Sequence, residues 1–243
     1  MPLGLVGFDK RALGNAPCLV GIDEAGRGCL AGPVVAAAIR CGAPFYNTSW
    51  CRRHSRGVDD SKRLSAEKRQ AIVERFAEAR REDWIQIGIG TASVEEIERH
   101  NIYHATTLAM RRALAAALAA ALGWDQGDQE DLWDPAVGGK VLIDGRPIKN
   151  FPCLHQAVVK GDQRSLAIAL AGIHAKEHRD ALMAGLDQEC PGYGFRVHKG
   201  YGTEAHLDAL RKLGPCPHHR PTFLRKFHAG EQEVPDSSQC SLF

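Results

Sequence analysis

A glycine-rich turn between two short apolar runs constrains this chain more than any other part of its sequence. Residues 18–20 and 34–39 are apolar and predict two strands, and between them Asp23 and Glu24 are followed by Gly-Arg-Gly at residues 26–28. Glycine lets a backbone bend sharply and expose its N–H groups. The turn therefore suits a cation held beside a phosphate. Taken alone, the pattern favours a plainer alternative, a hairpin whose acids face water.

The composition is that of an ordinary globular protein. The chain has 243 residues, of which 44% are hydrophobic and 25% charged, and its net charge is +2, so it can bury one large core or two small ones. Eight cysteines without C-x-x-C pairing favour reduced thiols in a cytoplasmic protein. The N-terminus lacks the pattern of a secretory signal, and no window was expected to be apolar for long enough to cross a bilayer.

Basic residues are concentrated near the C-terminus. Between residues 192 and 228 the only acids are Glu204 and Asp208. This stretch is therefore predicted to face a polyanion. The basic residues are Arg196, Lys199, Arg211, Lys212, Arg220, Arg225 and Lys226, with His198, His206, His218 and His219 interleaved.

The remaining pattern predicts one mixed-sheet α/β domain, in which an antiparallel hairpin is followed by strands linked through helices. Helices are predicted from the Ser65 cap to about residue 81, from the Ser93 capping box into a long helix at 101–122, at 166–173 and, after Thr203, at 204–213; further strands are predicted at 84–89, 140–143 and 155–160. The chain divides into a short leader (1–17), one folded domain (18–223) and a flexible tail (224–243). The acidic segment 124–139 is predicted to be a solvated loop.

Four carboxylates are candidates for one site. Asp23 and Asp144 each close an apolar run, so both lie at strand ends and converge if those strands are neighbours. Asp162 follows a third run, where capping of the next helix is an equally good explanation, and Glu24 alone could be a solvated neighbour. Clustered carboxylates repel unless cations neutralise them, and oxygen ligands select Mg²⁺ or Mn²⁺ over Zn²⁺. Two such ions roughly 4 Å apart would suit phosphodiester hydrolysis.

Several separate motifs occur at residues 21–33, 60–62, 92–97, 101–102, 142–145, 160–162, 175–176, 179–180, 198–203 and 219–220. Together, and in this order along residues 19–223, they resemble bacterial ribonuclease HII. The resemblance implies a ribonuclease H-like fold, a mixed five-stranded sheet flanked by helices with a helical C-terminal part. It also implies a Mn²⁺- or Mg²⁺-dependent endonuclease that cuts 5′ of ribonucleotides in RNA–DNA hybrids and of single ribonucleotides in duplex DNA, leaving 3′-hydroxyl and 5′-phosphate ends.

The resemblance also assigns roles to residues. Asp23, Glu24, Asp144 and Asp162 match the catalytic, metal-binding carboxylates. The backbone of Gly26, Arg27 and Gly28 matches the reader of the ribose 2′-hydroxyl, the group that distinguishes RNA from DNA. Tyr201 matches a tyrosine that packs on the adjoining deoxyribose, although it could simply anchor its loop. The candidate phosphate contacts, each of which could equally be a solvated cation, are Lys62, Lys176, Lys199 and Arg220.

Some residues depart from the family pattern. Cys29 stands where proline is usual, Gly172 where serine is usual, and Glu177-His178 where the pair is more apolar. None of these departures removes a carboxylate. They raise questions about helix packing, phosphate contacts and oxidation near Arg27.

The C-terminal residues suggest a docking motif, and two rival identities for the chain have some support. Gln239, Leu242 and Phe243 end a polar tail that resembles the pentapeptide by which bacterial proteins bind the β sliding clamp, although a chance apolar end is the alternative. One rival is ribonuclease HIII, which carries an added N-terminal domain, whereas 17 residues precede Cys18 here. The other is a non-catalytic hybrid-binding protein of the same fold. We expect a monomer.

Overall fold

A mixed five-stranded sheet forms the centre of the protein in the computed structural model, which describes residues 4–123 and 139–225. The order is β3-β2-β1-β4-β5; β1 and β3 are antiparallel to β2, and β4 and β5 run parallel to β1. This confirms the predicted fold class. The clamp-motif residues and most of the acidic segment lie outside the described residues. The strands are β1 (Cys18–Ala25), β2 (Val34–Gly42), β3 (Ile85–Ala92), β4 (Lys140–Asp144) and β5 (His155–Val158).

Helices cover both faces of the sheet. One core lies between the sheet and α1, α3 and α5, and a second lies between the opposite face and α4. A third core joins the C-terminal end of α5 to α6 and α7. The described helices are α1 (Leu5–Leu13), α2 (Ser49–His54), α3 (Ala66–Arg81), α4 (Val94–Leu122), α5 (Leu166–Glu189), α6 (Phe195–His198) and α7 (Glu204–Leu213).

Local capping signals set the helix ends as predicted. Ser65 accepts from the Lys68 N–H at the start of α3, and Ser93 forms both bonds of a capping box at the start of α4. Thr203 caps α7. The two helices predicted around residue 101 are one element with a break at Asn101, where φ is +65°.

Close helix-to-sheet approach explains the alanine-rich character of α4. A Cβ on Gly88 of β3 would lie 2.0 Å from the Ala113 carbonyl oxygen, so only glycine permits this packing distance. Contrary to the sequence expectation, α4 is long and apolar enough, by length and composition alone, to cross a membrane, but half of its most apolar segment is buried inside the fold. It packs as a core helix of the sheet.

The predicted leader contains an ordered helix, α1, that sequence patterning did not reveal. Asp9 of α1 is fully buried, and its Oδ2 accepts hydrogen bonds from the Ala167 N–H at 3.0 Å and the Tyr46 hydroxyl at 3.1 Å. Burial raises the pKa of Asp9 to about 6. Its carboxylate therefore supplies an acceptor to the first turn of α5 from a distant part of the chain.

Candidate active site

The sheet register brings the predicted carboxylates together. Because β1 and β4 are adjacent and parallel, with Ile22 paired to Ile143, Asp23 and Asp144 emerge at the same sheet edge. The Gly161 N–H after β5 donates to Asp144 Oδ1 at 2.6 Å, which fixes the Asp162 segment beside them. Three separate segments therefore converge as the sequence predicted.

Asp162 does not cap α5. It lies in a short 3₁₀ turn, Gly161–Gln163, whereas Ser165 is the N-cap and its Oγ accepts from the Ile168 N–H at 3.2 Å. The capping explanation for Asp162 is therefore wrong. Its carboxylate is therefore not engaged as a helix cap, and it lies within electrostatic range of Asp144.

The carboxylates perturb one another electrostatically. Burial raises the pKa of Asp23 well above its usual range, and the charges of Glu24, Asp144 and Asp162 raise it further. Burial also raises the pKa of Glu24, against the opposing effect of Arg27, whose guanidinium lies 3.1 Å from its carboxylate. The pKa of Asp162 is raised by burial and then by Asp144. The site therefore concentrates negative charge that a cation would relieve.

The donor chemistry suits a hard divalent ion. In residues 4–123 and 139–225, no group of three or more His, Cys, Asp or Glu side chains is arranged so that it could hold a metal ion as the side chains stand. However, the four acids that influence one another offer only carboxylate oxygens, the ligands that Mg²⁺ and Mn²⁺ prefer. Their mutual repulsion supplies a reason to bind such an ion, so the residues fit the metal predicted from the sequence.

Arg220 organises the loop beside the acids, which we name the glycine loop (residues 26–33). Its guanidinium is fully buried and donates to the carbonyl oxygens of Gly26 at 2.8 Å, Arg27 at 3.0 Å and Gly32 at 2.7 Å. All three acceptors belong to the loop. The prediction that Arg220 contacts phosphate is therefore wrong, because its donors are turned inward and satisfied by the protein.

A second buried arginine, Arg179 of α5, holds the same loop from another side. It donates to the carbonyl oxygens of Ala31 and Pro33, each at 3.0 Å, and of Lys199 at 2.8 Å. Sequence reasoning gave Arg179 no role, although its spacing from Ala175 and Met183, which are buried on the same helix face, was an available signal. Arg179 and Arg220 thus orient carbonyl oxygens of the glycine loop toward the protein interior.

Gly26 and Gly28 of the glycine loop differ in what an added side chain would meet. Gly26 has φ of +92°, and a Cβ there would lie 2.0 Å from Arg179 Nε, so the fold itself requires glycine. A Cβ on Gly28 would meet nothing within 4 Å. The N–H groups of residues 26–28 have no hydrogen-bond partner in the described parts of the chain. This side of the loop therefore presents open space and free donors.

Tyr201 stands beside the loop, and the residue is 40% exposed. The Arg179 guanidinium carbon lies 6.0 Å from the ring centroid, and burial followed by the neighbouring Cys29 raises the pKa of the Tyr201 hydroxyl. The ring is thus supported from within the protein and presents part of its surface to solvent.

Comparison with known proteins agrees with this arrangement. A family model described as Ribonuclease HII matches residues 20–228. The chain belongs to the ribonuclease HII family. Ribonuclease HII of Rhodospirillum rubrum is 47% identical over 215 residues, covering 88% of this chain and 86% of the relative. Family membership makes the chain a metal-dependent endoribonuclease and implies activity on RNA–DNA hybrids.

Solved structures share the fold at low sequence identity. The Archaeoglobus fulgidus ribonuclease HII in a complex with PCNA matches with a TM-score of 0.61 and 19% identity, covering 84% of this chain and 93% of that chain. The Bst-RNase HIII in complex with Mn²⁺ matches with a TM-score of 0.59 and 20% identity, covering 90% of this chain and 68% of that chain. Both confirm the ribonuclease H-like architecture.

Three lysines match the family's motif positions, and they differ in their surroundings. Lys62 is exposed, and its charge lowers the pKa of both Glu24 and Asp162, so it lies within electrostatic range of the acids. Lys176 forms an ion pair with Asp180, and Lys199 Nζ donates to the Asp180 carbonyl oxygen at 3.3 Å. Among these lysines, Lys62 is the one whose charge acts on the acidic cluster.

The departures from the family pattern have local explanations. A Cβ on Gly172 would lie 2.3 Å from Asp23 Oδ2, so the missing side chain leaves room for that carboxylate against α5. Glu177 accepts from Arg69 Nε at 2.5 Å, which joins α5 to α3. Cys29 is fully buried and burial raises the pKa of its thiol, which argues against the expected sensitivity to oxidation.

The basic C-terminal stretch is only partly a charged surface. Arg211 pairs with Glu204 and Asp208, and Arg196 pairs with Asp187. These ion pairs within the protein therefore leave fewer of the predicted basic residues available to bind a polyanion. Three of the four interleaved histidines, His198, His206 and His219, are buried.

Proposed function

We propose that this chain hydrolyses the phosphodiester bond on the 5′ side of ribonucleotides, both in RNA–DNA hybrids and at single ribonucleotides within duplex DNA. The products carry 3′-hydroxyl and 5′-phosphate ends. The observation that carries the proposal is the position of four carboxylates beside a loop whose carbonyls are bound inward and whose residues 26–28 keep free N–H donors. Such a loop suits recognition of a sugar hydroxyl next to a hydrolytic centre. Removal of embedded ribonucleotides in DNA repair follows as the proposed role.

Each part of the site has a proposed task. Asp23, Glu24, Asp144 and Asp162 would hold Mg²⁺ or Mn²⁺, and a pair of these ions, when bound, supplies an activated water and stabilises the leaving oxygen. The loop N–H groups face the 2′-hydroxyl, and the half-exposed Tyr201 ring packs on the adjoining deoxyribose. Lys62 attracts the phosphate and orients it by its charge. The protein therefore contributes placement and charge.

The direct test is cleavage of a DNA duplex that contains one ribonucleotide. We expect one cut, 5′ of the ribonucleotide, with Mg²⁺ or Mn²⁺, and no cut with a chelator. An all-DNA duplex of the same sequence is the matched control, and products are resolved at single-nucleotide length. Tight binding without cleavage under both metals would establish the rival, a non-catalytic hybrid-binding protein, and a cut on the 3′ side would overturn the proposed polarity.

We also propose that residues 239–243, which lie outside the described residues, dock on a sliding clamp. The support is the sequence Gln-Cys-Ser-Leu-Phe and the complex with PCNA formed by the archaeal family member. Deleting Leu242 and Phe243 is expected to abolish capture of the chain on immobilised bacterial clamp while leaving cleavage rates unchanged. Equal capture of the full and shortened chains would remove the proposal.

A further inference from the structure

The three buried histidines form one connected cluster behind Tyr201. The exposed fractions of His198, His206 and His219 are 9%, 0% and 2%. The rings of His198 and His206 are stacked with centroids 4.2 Å apart, and the Nε2 atoms of His206 and His219 are 3.0 Å apart. These side chains come from α6, α7 and the segment after α7. None of them belongs to the carboxylate cluster or to the glycine loop.

The hydrogen-bond distances assign a proton to one nitrogen of each ring. His219 Nδ1 lies 2.9 Å from the Cys216 backbone nitrogen and 3.3 Å from the Cys216 carbonyl oxygen. Because the contact with the N–H is the shorter one, Nδ1 is the acceptor, and the His219 proton is on Nε2, from which it is donated to His206 Nε2. The His206 proton is therefore on Nδ1, from which it is donated to the Tyr201 carbonyl oxygen at 2.9 Å. A directed chain of donors thus runs from Cys216 to Tyr201, and we name it the histidine relay.

His198 supports the neighbouring residue in the same turn. The Gly200 N–H donates to His198 Nδ1 at 3.1 Å, and His198 Nε2 donates to the Tyr193 carbonyl oxygen at 2.7 Å. The Gly200 carbonyl oxygen in turn accepts from the Leu30 N–H of the glycine loop at 2.8 Å. The histidines therefore hold the turn that carries Tyr201 and connects it to the loop.

Every polar ring atom of the relay is already used, so a neutral form of each ring satisfies the bonds completely. Burial lowers the pKa of His219 to about 4 and also lowers the pKa of His206. Removing the His206 ring would leave the His219 Nε2–H buried without its acceptor. The Tyr201 carbonyl would keep only the Thr203 N–H, at 2.8 Å, as a donor.

We propose that His206 is a positioning residue for substrate binding, which fixes the Tyr201 ring through the Tyr201 carbonyl and is itself oriented by His219. The inference rests on the proposed contact between Tyr201 and deoxyribose. It assigns His206 an effect on substrate binding that is separate from the carboxylate chemistry.

Two substitutions at the same position separate positioning from packing. The amide nitrogen of His206→Asn occupies the Nδ1 position and can still donate to the Tyr201 carbonyl, whereas the amide of His206→Gln reaches the Nε2 position and faces His219. We expect His206→Gln to raise KM for a single-ribonucleotide duplex by about three- to tenfold, the value of one lost hydrogen bond, with kcat within about twofold of wild type. His206→Asn is expected to keep KM within about twofold of wild type. His104→Gln, at an exposed position of α4, is the matched control.

A double-mutant cycle with Tyr201→Ala and an activity-independent measurement complete the test. In the Tyr201→Ala background, His206→Gln should add no further rise in KM. Histidine ¹⁵N chemical shifts of the wild type should report protons on His206 Nδ1 and His219 Nε2. The inference is overturned by equal KM values for the Gln and Asn variants, by a full effect of His206→Gln without Tyr201, or by the opposite ring tautomers. An inactive wild type with the expected tautomers would instead reject the proposed function, and the assigned effect on KM with it.

Discussion

Replacing Asp23 by Asn is expected to abolish cleavage of a ribonucleotide-containing duplex while preserving duplex binding. Asp23 lies where β1 meets β4, and the other three acids share its electrostatic environment. Loss of its charge removes an oxygen ligand for a divalent ion, which we expect to lower kcat about a thousandfold, or about 4 kcal/mol of barrier. Single-turnover cleavage and equilibrium binding to the same duplex measure the two effects separately. The same loss of cleavage with preserved duplex binding is expected for Asp144→Asn.

Stability should change in the opposite direction from activity. Burial and neighbouring acids disfavour the charged form of Asp23 in the folded protein, so the neutral amide is expected to raise Tm in the absence of metal. Glu78→Gln, at an exposed position of α3, is the matched control and should change neither Tm nor cleavage. Wild-type cleavage by both the Asp23 and Asp144 variants would show that these carboxylates are not the catalytic ones.

The sequence was sufficient for the site's acids because their positions follow from local rules. Asp23 and Asp144 end apolar runs, and the carboxyl ends of adjacent parallel strands meet at one edge of a sheet. The Ser93 capping box likewise needs only residues three apart in the chain. Such features are specified within a few residues, so the sheet strands, the main helices and the carboxylate cluster were predictable.

The features that were missed depend on partners far along the chain. Arg220 was expected to contact phosphate or to be a solvated cation, because it falls on a motif position. Instead, carbonyl oxygens of the glycine loop satisfy its donors, and the separation in sequence is 194 residues for Gly26. His206 and Asp9 are similar cases, since each is buried through hydrogen bonds to residues on other segments. Periodicity and propensity carry no information about such pairing.

Gly26→Ala is expected to destabilise the fold, whereas Gly28→Ala is expected to fold normally and to impair substrate binding, although the two residues are only two positions apart. A side chain at Gly26 would lie 2.0 Å from Arg179 Nε with φ at +92°. Strain and displacement of the buried guanidinium should cost about 2–4 kcal/mol of unfolding free energy. Gly28→Ala should leave unfolding free energy within about 0.5 kcal/mol of wild type, because nothing lies within 4 Å of the added carbon.

The activity of the folded variants then shows what the open space beside Gly28 is for. If the ribose approaches the free N–H groups of the loop, the Gly28→Ala methyl group occupies that approach, and KM for a single-ribonucleotide duplex should rise at least about tenfold. Arg27→Ala is the control, because the Arg27 side chain is 52% exposed and pairs with Glu24, so its removal should impair recognition less. Urea unfolding and steady-state cleavage measure the two properties on the same preparations. Unchanged KM in Gly28→Ala would mean that the substrate does not use this space, because a backbone reader cannot tolerate a carbon placed between its donors and the sugar.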